Sequence, residues 1–496
     1  MFAACTLFLA ACGKQTVKIM TPPDASNRVL FSAEQLQTTL DKAGYQVMMQ
    51  QGDTTFSDPE IKTILLTEVN DTTLKKEGFH ITTTGNLTRV SGRDGSGVIY
   101  GCRELIDRVN DSEGKLNFPE ELKDGPEMVL RGACVGLQKM TYLPGHGVYE
   151  YPYTPESFPW FYDKEQWIKY LDMLVANRMN SLYLWNGHPF ASLVKLEDYP
   201  FALEVDEETF KKNEEMFSFL TEEADKRGIF VIQMFYNIIL SKPFAEHYGL
   251  KTQDRNRPIT PLIADYTRKS IAAFIEKYPN VGLLVCLGEA MCTVEDDVEW
   301  FTKTIIPGVK DGLQALGRTD EPPLLLRAHD TDCKLVMDAA LPIYKNLYTM
   351  HKYNGESLTT YEPRGPWSKI HTDLSSLGSI HISNVHILAN LEPFRWGSPD
   401  FVQKAVQAMH NVHGANALHL YPQASYWDWP YTADKLPNGE REFQLDRDWI
   451  WYQTWGRYAW NSHRDRADEI GYWNHQLGQF YGTSDENAGN IRIAYE

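Results

Sequence analysis

Polar and charged side chains directly follow four apolar runs in the sequence. Gly288-Glu289 follows one run, Arg327-Ala328-His329-Asp330 the next, His351-Lys352 a third, and Asn390-Leu391-Glu392 a fourth. If these runs are parallel strands of one barrel, their carboxyl ends meet at a single face, where active sites of such barrels lie. The spacing therefore predicts one shared site.

Two carboxylates of this set suit acid and base catalysis. Hydrolysis of a glycosidic bond needs one carboxylic acid to protonate the leaving oxygen and one carboxylate to act as base or nucleophile. Glu289 and Glu392 belong to different runs, so they can face each other across a pocket. Glu356 and Glu362 are further candidates for the second carboxylate. The alternative is that these residues are solvated loop carboxylates.

The cations of the same set suit an acidic substrate. Arg327 can hold a sugar carboxylate by two parallel hydrogen bonds, and Lys352 can add a second charge. The alternative is an ion-pair network at the barrel rim. We expect His329 and Asp330 to contact the substrate or to support the groups that do.

Aromatic side chains offer flat surfaces that could stack on sugar rings. The chain contains 13 Trp and 26 Tyr, and most of these belong to the core by default. Trp160 and Trp427 are the candidates for substrate contact. A lipoprotein that binds glycans without cleaving them, with Trp427 and Trp429 as stacking platforms, stays an alternative to an enzyme.

The bulk composition limits the class of partner. A net charge of -18 argues against a nucleic-acid partner, which requires a basic face. The 496 residues exceed one compact core, which predicts a barrel with accessory domains. Oligomeric state is not indicated.

The cysteines do not form a metal-binding pattern. They lack paired CxxC spacing, so we expect buried thiols without a disulfide framework, and no metal or cofactor. Beyond the first dozen residues they are Cys102, Cys134, Cys286, Cys292 and Cys333.

The first dozen residues are apolar and small, and they end in Leu9-Ala10-Ala11-Cys12. This is the form of a lipobox, in which Cys12 receives a lipid after residues 1–12 act as a signal peptide. The alternative is a short buried strand. We expect an exported protein that reaches a membrane only through this lipid, because no other apolar run approaches the roughly 18 residues needed to span a bilayer.

The elements that must position the site alternate between apolar runs and amphipathic helical segments from about residue 130 to 440. This alternation predicts an α/β fold, a (β/α)₈ TIM barrel. The eight predicted strands are Leu130–Gly136, Ser181–Trp185, Ile229–Phe235, Val281–Leu287, Pro323–Arg327, Leu347–His351, Ser383–Ala389 and Ala417–Tyr421.

Two further regions flank the predicted barrel. Residues 15–125 read as a small α+β domain, with a hairpin turn at Gly85-Asn86 and a glycine-rich turn from Gly92 to Gly97. No Lys-Ser/Thr pair follows that turn, so it does not match a phosphate loop. Residues 446–496 read as a Trp-rich helical region, and we expect the natural protein to continue past Glu496.

Several segments resemble the α-glucuronidases of glycoside hydrolase family 67, which remove glucuronate from xylo-oligosaccharides by inversion. Pro279–Val285 leading to Glu289 resembles the strand whose terminal Glu is the general acid, and Glu392 falls where that family has a base. The resemblance implies that Arg327 and Lys352, the latter in a Lys-x-Asn-Gly run, contact the uronate.

The chain departs from that family at two places. Thr360 stands where the family has an Asp ahead of a Pro-Arg-x-Pro motif, so Glu356 or Glu362 would have to substitute. A lysine near the acid is replaced by Val285 and Cys286. A β-N-acetylhexosaminidase-like enzyme stays the second reading, although such enzymes use adjacent acidic residues where this chain has Gly288-Glu289.

Overall fold

The computed structural model describes residues 15–53, 59–137, 152–236, 239–288, 291–386, 397–422 and 430–496. The chain divides into two compact units, Met1–Pro126 and Glu127–Glu496. Among the helices of the described ranges, none combines the length and the apolar character needed to cross a membrane.

The first unit is a sheet with two helices. Its strands pair in the order β2-β1-β3-β5-β4-β6. The pairs β2-β1, β1-β3 and β3-β5 are parallel, and the pairs β5-β4 and β4-β6 are antiparallel. The strands are β1 Thr16–Thr21, β2 Gln46–Gln51, β3 Lys62–Glu68, β4 Phe79–Thr84, β5 Leu87–Gly92 and β6 Glu121–Asp124. The helices are α1 Asn27–Lys42 and α2 Gly95–Asp111.

Glycines in the first unit serve turns and close packing. Gly85 has a φ of 58° in the predicted β4–β5 hairpin, where a left-handed residue is needed. In the glycine-rich turn, Asp94 caps α2 by accepting from Gly97 N at 2.9 Å, and a Cβ on Gly97 would lie 2.3 Å from the Gly78 carbonyl oxygen. This turn therefore begins a helix and packs against backbone.

The second unit contains the predicted barrel. Eight parallel strands close in the order β10-β11-β12-β13-β14-β7-β8-β9. They are β7 Leu130–Gly136, β8 Ser181–Trp185, β9 Phe230–Tyr236, β10 Val281–Cys286, β11 Leu324–Arg327, β12 Leu347–Glu356, β13 Ile380–Val385 and β14 Ala417–Leu420.

Six of these strands lie within one residue of their predicted bounds, and two differ. β12 continues to Glu356, five residues further than predicted. β13 begins at Ile380, three residues earlier than predicted, because its polar His381 is buried and bonded to α11 rather than exposed. A scan for apolar runs therefore starts this strand too late.

Helices separate the strands and cover the barrel. They bury apolar stripes against it, as Trp167, Leu171 and Leu174 do on α3. They are α3 Lys164–Ala176, α4 Phe190–Leu193, α5 Glu207–Lys226, α6 Lys242–Tyr248, α7 Pro261–Lys277, α8 Val294–Trp300, α9 Ile306–Ala315, α10 Cys333–Ala340, α11 Pro366–Ser375 and α12 Pro399–Gln407.

The Trp-rich C-terminal segment is helical and packs on the barrel. Trp451, Trp455 and Trp460 are fully buried, and Trp451 Nε1 donates to the Tyr421 carbonyl at 2.9 Å, just after β14. The remaining elements are β15 Tyr431–Lys435, β16 Arg441–Phe443, α13 Gln444–Arg447, α14 Trp449–Trp460, α15 Arg466–Tyr481 and α16 Asp485–Tyr495.

The cysteines of the described ranges are free thiols, and Cys292 corrects the prediction that they are buried. Cys102, Cys134, Cys286 and Cys333 are buried, whereas Cys292 is exposed. Its Sγ donates to the Arg255 carbonyl at 3.1 Å and to Asn256 Oδ1 at 3.0 Å. This thiol lies on a loop after β10, where polar partners replace apolar packing.

Candidate functional site

A cavity of about 120 Å³ opens at the carboxyl ends of three adjacent barrel strands, β11, β12 and β13. This is the face on which active sites of such barrels lie. The described residues that line it are Arg327, His329, Met350, His351, Lys352, Trp367 and Asn384.

The pleat of the strands brings several of these side chains into the cavity. Successive strand residues point to opposite faces, so positions two apart share the barrel interior. Leu325 belongs to the interior cluster, and Arg327 follows it by two positions; Met350 and Lys352 are related in the same way. The apolar interior therefore ends in a polar layer.

Arg327 is held in place by its surroundings. Only 5% of the residue is exposed, and its Cζ lies 5.2 Å from the centroid of the Trp185 ring. Its Nη1 lies 3.9 Å from Cys286 Sγ on the neighbouring strand. The contact with the indole face is a favourable cation–π arrangement, and it helps to fix the orientation of the planar guanidinium.

Lys352 lies across from Asn384 in the register of β12 and β13. Asn384 is buried, and its Nδ2 lies 2.6 Å from His419 Nδ1, a contact that fixes the amide inside the barrel. Because Lys352 and Arg327 line the same cavity, one bound carboxylate can meet both charges.

Two histidines beside these cations, His386 and His351, have lowered pKa values. Burial lowers the pKa of His386 to about 2, and the charges of Lys352 and Arg327 act in the same direction. Burial also lowers the pKa of His351, whose Nδ1 lies 2.9 Å from the Lys352 carbonyl oxygen. Apart from histidines, the basic side chains of the described lining are Arg327 and Lys352.

The backbone just before Glu289 is fixed from two sides. Gly288 N donates to Thr331 Oγ1 at 3.0 Å, and Arg255 Nη2 donates to the Gly288 carbonyl at 3.0 Å. A Cβ on Gly288 would lie 1.8 Å from the Asp330 carbonyl oxygen, so only glycine fits. Asp330 itself has a φ of 52°, a left-handed conformation.

The structure brings together three of the predicted substrate-binding residues. Arg327, Lys352 and His329 line the cavity. Asp330 follows His329, but its largely exposed side chain is not among the lining residues.

Two other predicted residues lie away from the described lining. Trp160 packs against Phe158 and Trp167, with ring centroids 6.1 and 5.9 Å apart, beside the start of α3. Glu362 is half-buried, and its charge acts on Tyr353 and His413. The hydroxyl of Tyr353 donates to carbonyls of Tyr361 and Ala405, on the helix side of β12.

The remaining predictions are not tested by the geometry. Glu289, Glu392, Trp427 and Cys12 lie outside the described residues. Glu356 ends β12, and its side chain is outside the described set. Within the described ranges, no three His, Cys, Asp or Glu side chains are grouped closely enough to hold a metal ion.

Sequence reasoning missed three residues of the cavity lining, Met350, Trp367 and Asn384. The prediction started β13 at Ser383, too late to show which of its residues face the barrel interior. Ile382 belongs to the interior cluster, so Asn384, two positions later, also faces inward. Trp367 follows Gly365-Pro366 at the start of α11, where proline at the first helical position was the available signal.

Comparisons with known proteins identify a similar enzyme. No model of a protein family and no curated protein matches the chain. Among solved structures, the chain is 74% identical to a protein described as a GH138 enzyme targeting pectin rhamnogalacturonan II, with a TM-score of 0.91. The match covers 97% of this chain and 55% of the GH138 enzyme, so the chain spans about half the length of that protein.

More distant structures share the fold alone. The N-acetyl-β-hexosaminidase of Streptomyces plicatus is 13% identical, over 94% of this chain and 91% of that enzyme, with a TM-score of 0.56. The β-N-acetylhexosaminidase of Bacteroides fragilis is 12% identical, over 96% of this chain and 94% of that enzyme, with a TM-score of 0.57.

The resemblance to family 67 α-glucuronidases is therefore wrong. The similar structures are a GH138 enzyme and hexosaminidases. The segments that suggested family 67 are short apolar strands ending in one polar residue, such as Leu324–Arg327, and parallel barrel strands of many families have that form. Inversion and the xylan substrate rested on this resemblance and are withdrawn with it.

Proposed function

We propose that this chain acts as a glycoside hydrolase that releases a uronic acid from pectin fragments. The observation that carries the proposal is the pair of cations, Arg327 and Lys352, in one cavity at the carboxyl ends of the strands. The 74% identity to an enzyme that targets a pectin supports the substrate class, since pectins are acidic polysaccharides.

The cations favour an acidic sugar over a neutral one. A hydrogen bond between charged groups contributes about 1.5–3 kcal/mol, and a carboxylate can accept two from one guanidinium. A neutral hexose has no carboxylate that could make those bonds. The cavity therefore suits the carboxylate of a uronic acid.

The chemistry needs two carboxylates at the bond to be broken. In the proposed mechanism Glu289 protonates the glycosidic oxygen, so that the leaving sugar departs as an alcohol. The second carboxylate acts as base or nucleophile; Glu392 is the first candidate, with Glu356 and Glu362 as the others. The contacts of Gly288 with Thr331 and Arg255 support a fixed start for the segment that carries Glu289.

Product release tests the proposal. Pectin oligosaccharides, aryl uronides of both anomeric forms and aryl N-acetylhexosaminides are incubated with the 496-residue chain, and the products are identified by mass. We expect free uronic acid, and a fall of at least about 10²-fold in Glu289→Gln, because general acid catalysis contributes about that much or more. Glu295→Gln is the matched control, an exposed carboxylate on nearby α8.

The other outcomes separate the alternatives. Release of N-acetylhexosamine would favour the hexosaminidase-like reading. Binding of oligosaccharides with no product would favour a glycan-binding protein. Unchanged turnover in Glu289→Gln would exclude Glu289 as the acid, and parallel variants of Glu392, Glu356 and Glu362 identify the second carboxylate.

The proposal includes an exported, lipid-anchored protein. The support is the Leu9-Ala10-Ala11-Cys12 run, in which Cys12 would carry the lipid. Metabolic labelling of expressing bacteria with radioactive palmitate should label the protein, and Cys12→Ser should abolish the label. Equal labelling of both forms would remove Cys12 as the anchor.

A further inference from the structure

Trp367 differs from the other tryptophans in its exposure. Of the tryptophans in the described ranges, it alone is among the strongly exposed apolar residues, at 38%. The others that pack in this unit include Trp167, Trp300, Trp451 and Trp473, which are at most 2% exposed. Because this exposed indole also lines the cavity, it offers a flat apolar surface to a bound ligand.

The ring of Trp367 is supported on the protein side. A Cβ on Gly355 would lie 3.2 Å from Cζ2 and 3.4 Å from Cη2 of Trp367, so backbone at the end of β12 lies against the six-membered part of the indole. The His351 ring lies 5.7 Å away at 52°. Gly355 has a φ of 69°, a left-handed conformation that favours glycine, and the absence of a Cβ there lets the indole lie close to the backbone.

The cavity behind Trp367 has room for a single sugar. One water molecule needs about 10–15 Å³ of such space, so a cavity of about 120 Å³ holds on the order of ten non-hydrogen atoms. This is about the size of one monosaccharide. If Arg327 and Lys352 hold a uronic acid there, the sugar linked to it lies outside this volume, and Trp367 is the lining residue with a strongly exposed apolar side chain among the described residues.

We propose that Trp367 is the stacking platform for the sugar that is linked to the bound uronic acid. This inference rests on the proposed function, because the cations define which sugar occupies the cavity. The ligand is a pyranose ring, whose C–H face packs on the indole and releases water from both surfaces. The platform thus selects oligosaccharides over small glycosides.

Two substrates that differ only in the leaving group test the platform. One is the fluoride of the uronic acid, which has no second ring; the other is a pectin oligosaccharide. In Trp367→Ala we expect kcat/KM for the oligosaccharide to fall at least about tenfold more than kcat/KM for the fluoride. Trp367→Phe should restore most of the loss, and exposed Tyr361→Ala, outside the cavity lining, is the matched control.

The outcomes distinguish the platform from the proposed function. Equal loss on both substrates, or no loss on either, would overturn the role of Trp367. If the unmodified chain cleaves neither substrate, the proposed function fails, and calorimetric titration with the oligosaccharide then decides the platform. Weaker binding by Trp367→Ala would support it, and equal affinity would overturn it.

Discussion

At the scale of single residues, the chemistry of the cavity depends on the kind of cation as well as on its charge. Arg327 stacks on Trp185, and its planar guanidinium lies in a site that is almost closed to water. A lysine in its place would keep the charge but would lose both the stacking and the paired hydrogen bonds.

Arg327→Lys should therefore be impaired although the charge is conserved. We expect kcat/KM for an aryl uronide to fall about tenfold or more, in line with loss of one charge-assisted hydrogen bond. Initial-rate kinetics measure this, with exposed Lys334→Arg on α10 as the control. Full activity of Arg327→Lys would show that charge alone suffices.

Asp297 gives a second residue-scale prediction, on stability. It is buried on α8, its Oδ1 has no hydrogen-bond partner within the described residues, and burial raises its pKa to about 7. A raised folded-state pKa means that the folded protein binds this proton more tightly than the unfolded chain. The stability that this proton contributes is then lost as pH rises from the unfolded-state pKa near 3.8 through the folded-state pKa of about 7.

Asp297→Asn should remove this dependence. The difference in Tm between Asp297→Asn and the unmodified chain should grow in favour of the variant as pH rises from about 5 to about 8, measured by scanning calorimetry. Glu299→Gln, an exposed carboxylate on the same helix, controls for the loss of charge. A difference independent of pH would mean that Asp297 does not titrate in this range.

At the scale of elements, the loops after β10 and β11 hold each other. Thr331 Oγ1 accepts from Gly288 N at 3.0 Å and donates to the His329 carbonyl at 3.0 Å. One hydroxyl thus connects the residue before Glu289 to a cavity-lining residue of the next loop. We assign Thr331 as a positioning residue for the proposed acid.

Thr331→Val should lower kcat more than it changes KM. The isosteric change leaves Gly288 N without its acceptor, so we expect a loss of about tenfold in kcat on an aryl uronide. Thr331→Ser should restore activity because it restores the hydroxyl, and exposed Thr372→Val on α11 should have no effect. Wild-type kcat in Thr331→Val would contradict the positioning role.

The strands were predictable because most of them are unbroken apolar runs, such as Leu324–Arg327. The polar layer above them was predictable in part. Arg327 and Lys352 follow such runs and do line the cavity, whereas Glu362 lies beside Tyr353 and His413. Sequence position shows that a residue follows a strand, but the path of the loop decides where its side chain goes.

Buried polar residues set the limit of that reasoning. His381 can lie inside the fold on β13 because Thr349 Oγ1 lies 3.0 Å from its Nδ1 and His371 Nδ1 lies 2.8 Å from its Nε2. His371 Nε2 lies 3.1 Å from the Tyr353 carbonyl oxygen. These hydrogen-bond partners come from other elements of the barrel, so no local sequence pattern predicts them.

At the scale of the whole molecule, the buried histidines predict sensitivity to acid. Burial lowers the pKa of each of them below the ordinary 6.5, for His188 to about 4 and for His371 to about 3. The others of this kind are His351, His381, His386, His413 and His419.

The contribution of these neutral, buried histidines to stability is complete above the ordinary pKa of about 6.5. It is lost as pH falls toward their folded-state pKa values. The unfolded chain binds more protons than the folded protein in this window, so stability decreases with acid. We expect Tm to fall steadily between about pH 6.5 and about pH 4.5, where most carboxylates are still ionised. A Tm that is flat over this window would contradict burial of neutral imidazoles.

The choice between an acidic and a neutral sugar tests the proposed function most directly. The measurement is kcat/KM for an aryl uronide and for the hexoside that carries the same leaving group and lacks only the carboxylate. Arg327 and Lys352 predict a preference for the uronide of at least about a hundredfold, and loss of most of that preference in Arg327→Met. A hexoside cleaved as fast as the uronide would contradict the proposed release of a uronic acid.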